Sequence, residues 1–188
     1  MCKKTIKTIL FYFILIRECS GVSLQSKDLK VVDGDTIKYN KTSMRMAYID
    51  TFEKEQECSC DGEIIKCGIY VKNILSDFIK DKEIDCETIG KDKYGRLISE
   101  CYANGYSISR YLLENGYAYL YKKNKYSKYF KDAFNNKKGL FSCEYFEHPY
   151  IYRKRNKSKT GRSPKCQPCP SIYNIAKFML KVKINDKT

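Results

Sequence analysis

The stretch Met44-Arg-Met-Ala-Tyr-Ile-Asp-Thr-Phe-Glu53 decides how the rest of this chain is read. Its first half alternates apolar and polar residues, the period-two pattern of a half-buried strand. The alternation stops at a group of oxygen donors, Asp50, Thr51 and Glu53, with the guanidinium of Arg45 just upstream. Hard cations such as Ca²⁺ take carboxylate and carbonyl oxygens. A phosphate takes planar, permanently charged donors, which arginine supplies and lysine does not. The chain has one histidine, His148. Chemistry that needs two imidazoles is therefore excluded, and acid–base work falls to carboxylates.

Upstream, Val31-Val-Asp-Gly-Asp-Thr-Ile-Lys-Tyr39 gives two apolar β-formers, an Asp-Gly-Asp interruption and a resumed strand. Gly34 permits a bulge that would re-aim a side chain. Downstream, Glu63–Lys80 holds apolar residues at 71, 74, 75, 78 and 79, the spacing of an amphipathic helix. Strands are expected over Ile84–Ile89 and Leu97–Tyr102, joined by a loop through Lys91-Asp-Lys-Tyr-Gly-Arg96. Ser107 can cap a short helix ending at Gly116, with Ile108, Tyr111 and Leu112 inward. Tyr117-Ala-Tyr-Leu-Tyr121 reads as a strand showing tyrosines at alternate positions, and Ser127 can cap a last helix that stops at Gly139.

The 188 residues can bury one sizeable core, so one domain with tails is expected. There are 36 basic and 22 acidic side chains, a net charge of +14. Residues 151–188 hold eleven of the basic groups against one acid, whereas the body from 23 to 150 is nearly neutral. The tail is the polycation, and nucleic acid or a membrane surface is its natural partner. Arg153–Lys165 reads as a basic linker, and Ser171–Val182 can form a basic amphipathic helix. The expected organisation is a signal peptide over 1–21, a domain over 22–150 and the basic tail over 151–188. Lys3, Lys4 and Lys7 precede an apolar run from Ile9 to Ile16, too short to span a bilayer. That predicts a secreted, periplasmic or cell-surface protein; an uncleaved membrane anchor is the alternative. Export would leave eight cysteines, and an even number in an oxidising compartment argues for disulfides. Cys86 and Cys101 can face each other across the predicted hairpin. Cys67 with Cys58 or Cys60 would pin the loop after the central stretch. A metal-thiolate reading of these or of Cys166 and Cys169 lacks a second pair at finger-like spacing.

Taken in order, Val32-Asp-Gly-Asp-Thr36, Arg45, Ile49-Asp-Thr-Phe-Glu53 and Asp92-Lys-Tyr-Gly-Arg96 resemble the staphylococcal (micrococcal) nuclease family. The tyrosine strand and Gly139-Leu-Phe also fit, and agreement extends over roughly residues 29–142. Within that family the chain resembles secreted members with cysteines flanking the Asp-x-Tyr-Gly-Arg hairpin. The resemblance implies an α+β protein with an OB-fold, a five-stranded Greek-key β-barrel with three helices. It also implies Ca²⁺-dependent hydrolysis of DNA and RNA to 3′-phosphate and 5′-hydroxyl ends, without an organic cofactor, by a monomer. Carried over by position, the metal carboxylates fall on Asp35 and Asp50, with the Thr51 carbonyl as third protein ligand. The general base falls on Glu53 and the phosphate-binding arginines on Arg45 and Arg96. Nucleotide contacts fall on Lys93, Tyr94, Tyr119 and Tyr121. Family members usually carry proline where this chain has Phe52, and the tyrosine strand aligns only after a two-residue gap.

The chemistry is coherent without the resemblance. Phosphodiester hydrolysis needs a deprotonated water, charge neutralisation at phosphorus and donors where negative charge grows. A carboxylate, a hard cation and two guanidinium groups meet those needs. The rival reading is a non-catalytic OB-fold nucleic-acid-binding module that stacks bases on Tyr94, Tyr119 and Tyr121. Such a module needs neither Asp35, Asp50 and Glu53 nor Arg45 and Arg96, and all five are present. A Cys/His hydrolase built on His148 has no supporting motif.

Overall fold

The computed structural model describes residues 24–157. In chain order come β1 (Leu24–Gln25), β2 (Leu29–Asp33), β3 (Thr36–Tyr39), β4 (Thr42–Met46) and β5 (Ile49–Thr51). The hairpin of β6 (Glu57–Cys60) and β7 (Glu63–Lys66) leads into helix α1 (Cys67–Ile79). Then follow β8 (Glu83–Lys91), β9 (Leu97–Ala103), β10 (Tyr106–Ser107) and α2 (Ile108–Glu114). The described chain ends with β11 (Ala118–Leu120), α3 (Ser127–Asn135) and α4 (Pro149–Lys157).

The main sheet runs β1-β8-β9-β4-β3-β2, with β10 added to β9 and β5 paired separately with β11. All of these pairings are antiparallel except β4 with β9. Register shifts between Val31 and Asp33 and between Thr88 and Gly90 bend β2 and β8, as bulges do. The sheet therefore curls into a half-barrel, the OB-fold expected from the sequence, with α1, α2 and α3 as its expected helices. Its core joins Ile37, Met44, Met46 and Ile49 from the strands to Val71 and Leu75 of α1, Leu112 of α2 and Phe130 of α3. Each such side chain contributes about 1.5–3 kcal/mol by leaving water.

Local sequence explains most boundaries. Ser107 caps α2, its Oγ accepting from the Arg110 N–H at 3.2 Å. At α3 the expected cap differs: Ser127 begins the helix, and its hydroxyl donates to the Asn124 carbonyl instead. The residues Glu63–Lys66, read as the start of α1, are strand β7. Asp61 and Gly62 both take positive φ, 52° and 79°, and form a two-residue hairpin turn that folds this segment back onto β6.

Three disulfides lie among the described residues. Cys86–Cys101 joins register partners of β8 and β9, with Cα atoms 4.1 Å apart, and Cys58–Cys67 ties β6 to the start of α1. Both pairs are as expected. The third, Cys60–Cys143, spans 83 residues and has no local signal in the sequence. It fixes the chain just before α4. There the basic linker expected to start at Arg153 proves to be helical, because α4 runs from Pro149 through Lys157. The signal segment, Cys166, Cys169 and the helix expected over 171–182 lie outside the described residues.

Candidate active site

The site forms where β3, β4 and β5 converge. Thr36 of β3 pairs with Arg45 of β4, which sets Asp35, at the end of the Asp-Gly-Asp turn, beside the arginine. Gly34 in that turn has no room for a side chain. A Cβ there would lie 2.7 Å from Val71 Cγ1 and 2.9 Å from Thr51 Oγ1. Asp35 and Asp50 are both buried. Arg45 joins them, Nη1 donating to Asp35 Oδ1 at 2.7 Å and Nη2 to Asp50 Oδ1 at 2.9 Å. Asp35 also accepts from Thr36 Oγ1 at 3.0 Å and from the Thr51 N–H at 3.4 Å. Even so, burial pushes the Asp35 carboxyl up to about 7; Arg45 pulls it down, while Asp33 and Asp50 push it further up.

Glu53 is placed by its backbone. Its N–H donates to Gln56 Oε1 at 3.1 Å, and its carbonyl accepts from the Gln56 N–H at 2.8 Å. Gly68, in the first turn of α1, packs against it so closely that a Cβ would sit 2.1 Å from the Glu53 carbonyl oxygen. Gln56 is itself buried, and its side-chain amide donates to the Glu147 carbonyl. Phe52, where the resemblance leads one to expect proline, is 1% exposed, with its ring 5.5 Å from that of Tyr119. The turn is held by burial of an aromatic anchor where proline would hold it by a fixed φ.

Two residues of the site carry no advance signal. Arg153 of α4 reaches back across about a hundred residues of sequence. Its Nη1 and Nη2 donate to Asp50 Oδ1 at 3.1 Å and Oδ2 at 2.7 Å, and Nη1 also donates to Glu53 Oε1 at 2.7 Å. His148 packs 4.3 Å from the Tyr119 ring, and its Nδ1 accepts from the Tyr150 N–H at 3.1 Å. Burial pushes this imidazole down to about 4, so it is neutral at physiological pH.

The remaining predicted residues divide. Arg96 belongs to the β8–β9 loop, where its Nε donates to Asp92 Oδ2 at 2.8 Å. Among the described residues its guanidinium pairs with Asp92 and not with the acidic cluster. Tyr94 beside it is 71% exposed, with Lys93 Nζ 5.0 Å from its ring centre, and Tyr121 is 56% exposed. Tyr119 is a correction. It is 1% exposed, in ring contact with Phe52, Phe130, Phe141 and His148, so it is a core residue and offers no face to a base. The strand alternation brings Tyr119 opposite Asp50 in the register, but the 3₁₀ turn at Gly139–Ser142 and the segment carrying His148 cover its ring.

An OB barrel presenting two buried carboxylates, a third on the adjoining turn and bracketing guanidinium groups defines a class, that of OB-fold proteins with an acidic site lined by arginines. Residues 43–143 match the family described as staphylococcal nuclease homologue, and the chain belongs to it, a family of phosphodiester-hydrolysing nucleases. An uncharacterized endonuclease of Haemophilus influenzae is 28% identical over 139 residues, 71% of this chain and 73% of that protein. Endonuclease YncB of Bacillus subtilis is 32% identical over 113 residues, 54% of this chain and 52% of its own length. The succinoglycan biosynthesis protein ExoI of Rhizobium meliloti is 28% identical over 118 residues, 61% of this chain; the match spans 62% of that relative. Asp35, His148 and Arg153 lie outside the stretch that the family match covers.

Proposed function

We propose that the chain is a Ca²⁺-dependent phosphodiesterase that cleaves DNA and RNA and leaves 3′-phosphate and 5′-hydroxyl ends. The observation that carries this reading is the convergence of Asp35 and Asp50 on the one guanidinium of Arg45, with Glu53 three residues further along the chain. The donor set fits a hard cation, because carboxylate and carbonyl oxygens are the ligands such an ion takes, and Asp35, Asp50 and Thr51 are buried side by side. Among the described residues no set of three or more His, Cys, Asp or Glu side chains is arranged as a metal site. Asp35, Asp50 and the Thr51 carbonyl would hold the ion, with water completing the shell. Ca²⁺, when bound, neutralises charge on a non-bridging phosphate oxygen and orients the ester.

The chain's own residues do the rest. Glu53 takes a proton from the attacking water, worth about 10²–10⁴-fold in rate. Arg45, already aimed between the carboxylates, donates to the phosphate as negative charge grows. Arg96 reaches the phosphate from the β8–β9 loop by exchanging Asp92 for the substrate oxygen. The exposed rings of Tyr94 and Tyr121 stack bases, and Lys93 meets the backbone. Three disulfides among the described residues support an oxidising compartment, hence export directed by residues 1–21. Cleavage of supercoiled DNA by wild type and by Glu53→Gln tests the reading. The variant should lose turnover by about 10²-fold or more while still binding a labelled oligonucleotide, because the amide keeps the shape and loses the basicity. Equal turnover would show that the base lies elsewhere.

A further inference from the structure

We propose that α4 is a built-in latch on this site, Arg153 being an inhibitory cation that a divalent metal must displace before the centre can work. The inference rests on the reading of Asp50 as metal ligand and Glu53 as base. Its own evidence is the set of contacts made by Arg153. The guanidinium grips both oxygens of Asp50, at 3.1 and 2.7 Å, and one oxygen of Glu53, at 2.7 Å. Asp50 Oδ1 already accepts from Arg45 at 2.9 Å. Both Asp50 oxygens are therefore engaged by guanidinium groups, and Arg153 also holds Oε1 of Glu53, the carboxylate assigned as base. The fork opposes a cation at Asp50, because three of the carboxylate's lone pairs are taken and a second positive charge sits against it.

The latch is anchored independently of the site. Cys60–Cys143 fixes the chain at the start of the strap that ends in α4. Ser59 and Tyr145 then exchange two backbone hydrogen bonds, at 2.9 and 3.2 Å. Gln56, the residue that holds the Glu53 backbone, donates to the Glu147 carbonyl. Finally, the His148 carbonyl accepts from the N–H groups of Ile151 and Tyr152, opening the helix. The turn that carries the base and the strap that carries Arg153 thus share one anchor, Gln56. The guanidinium side chain itself is about a third exposed, at 34%, so it can swing out to solvent while the strap stays tied.

The same helix supplies an internal control. Arg155 carries the same charge two residues on and pairs with Glu147 at 2.9 Å. Calorimetric titration with Ca²⁺ alone, on the full chain, separates the cases. Arg153→Gln should bind Ca²⁺ about ten- to hundredfold more tightly than wild type, the worth of a set of charge-assisted hydrogen bonds. Arg155→Gln should stay within about twofold. Arg153→Lys, which keeps the charge and loses the fork, should fall between. Turnover of Arg153→Gln at limiting Ca²⁺ should rise accordingly. Unchanged or weaker Ca²⁺ binding by Arg153→Gln overturns the latch, as does an equal gain in Arg155→Gln, which would reduce the effect to net charge. A fall in turnover at saturating Ca²⁺ also overturns it, since Arg153 would then be donating to the substrate. Adding Asp50→Asn to Arg153→Gln should abolish the tight binding. If that double variant binds as tightly as Arg153→Gln, the assignment of Asp50 to the metal is what fails. Ca²⁺ binding by neither wild type nor Arg153→Gln counts against both.

Discussion

Arg45 and Arg96 are proposed for parallel roles, yet their surroundings differ. Arg45 lies inside the site, spanning two buried carboxylates. Arg96 sits on a loop and is held by Asp92, whose Oδ1 also accepts from the N–H groups of Tyr94 and Arg96 at 2.9 and 3.0 Å. Loss of either planar fork should lower turnover by about 10²–10³-fold. The two substitutions should separate in stability. Arg45→Lys leaves Asp35 and Asp50 poorly compensated and should unfold more easily in urea, whereas Arg96→Lys should unfold like wild type. Steady-state kinetics and urea titration of both variants check this, and a wild-type rate for either would remove its transition-state role. At this scale much of the site is legible in the sequence. Asp35, Arg45, Asp50 and Glu53 fall within nineteen consecutive residues; the β3–β4 pairing sets Asp35 beside Arg45, and the chain running on into β5 delivers Asp50 and then Glu53. Arg153 is not legible, because a basic residue in a basic tail looks like solvated charge until a long-range staple at Cys143 fixes where the tail goes. Tyr119 misleads for a related reason: period-two alternation says which face a side chain shares, but not what later segments lay over it.

The hairpin of β8 and β9 carries Arg96 at its tip and an ionic cluster nearer its base. Glu100 of β9 is 2% exposed; Lys125 Nζ donates to it at 2.6 Å, and the Tyr126 hydroxyl donates to it as well. Burial alone would raise this carboxyl, but the hydrogen bonds from Lys125 and Tyr126 outweigh it and hold it below its ordinary value of 4.5. A carboxyl whose folded value is depressed stabilises the protein above the unfolded value, and that stability is lost as pH falls through the folded value. Glu100→Gln should therefore cost about 1–3 kcal/mol near pH 7. The gap to wild type should narrow as pH drops below about 4.5. Urea unfolding at neutral and acidic pH measures it, and a gap independent of pH would contradict the ionic account. The expected strands, α1 and α2 are recognisable from periodicity and capping. Strand β7 is not, since Glu63-Ile-Ile-Lys66 lacks the polar–apolar alternation of a half-buried strand and runs straight into the helix that follows.

Along the whole sequence, most of the net charge lies outside the stretch that carries Asp35, Arg45, Asp50 and Glu53. The body from 23 to 150 is close to neutral, whereas residues 158–188 alone hold seven basic groups and one acidic group. A neutral body exerts little long-range pull on a polyanion, while basic groups release counterions from phosphates. A chain ending at Lys157 keeps α4 and should show a raised KM for long DNA with little change in kcat. Its salt dependence should flatten by about 0.9 in log–log slope for each phosphate that the tail no longer neutralises. A dinucleotide, too short to reach the tail, should be cleaved equally by both forms. An unchanged salt slope on long DNA would assign the tail to a membrane or another partner.

The most direct test of the central claim is the chemistry of the cut. Purified protein is incubated with supercoiled DNA in Ca²⁺, then in excess chelator, and the product ends are characterised with phosphatase and kinase labelling. The account predicts nicking and then degradation in Ca²⁺, arrest by chelator, and 3′-phosphate with 5′-hydroxyl ends. Cleavage that persists in chelator, or products bearing 5′-phosphate, would contradict it.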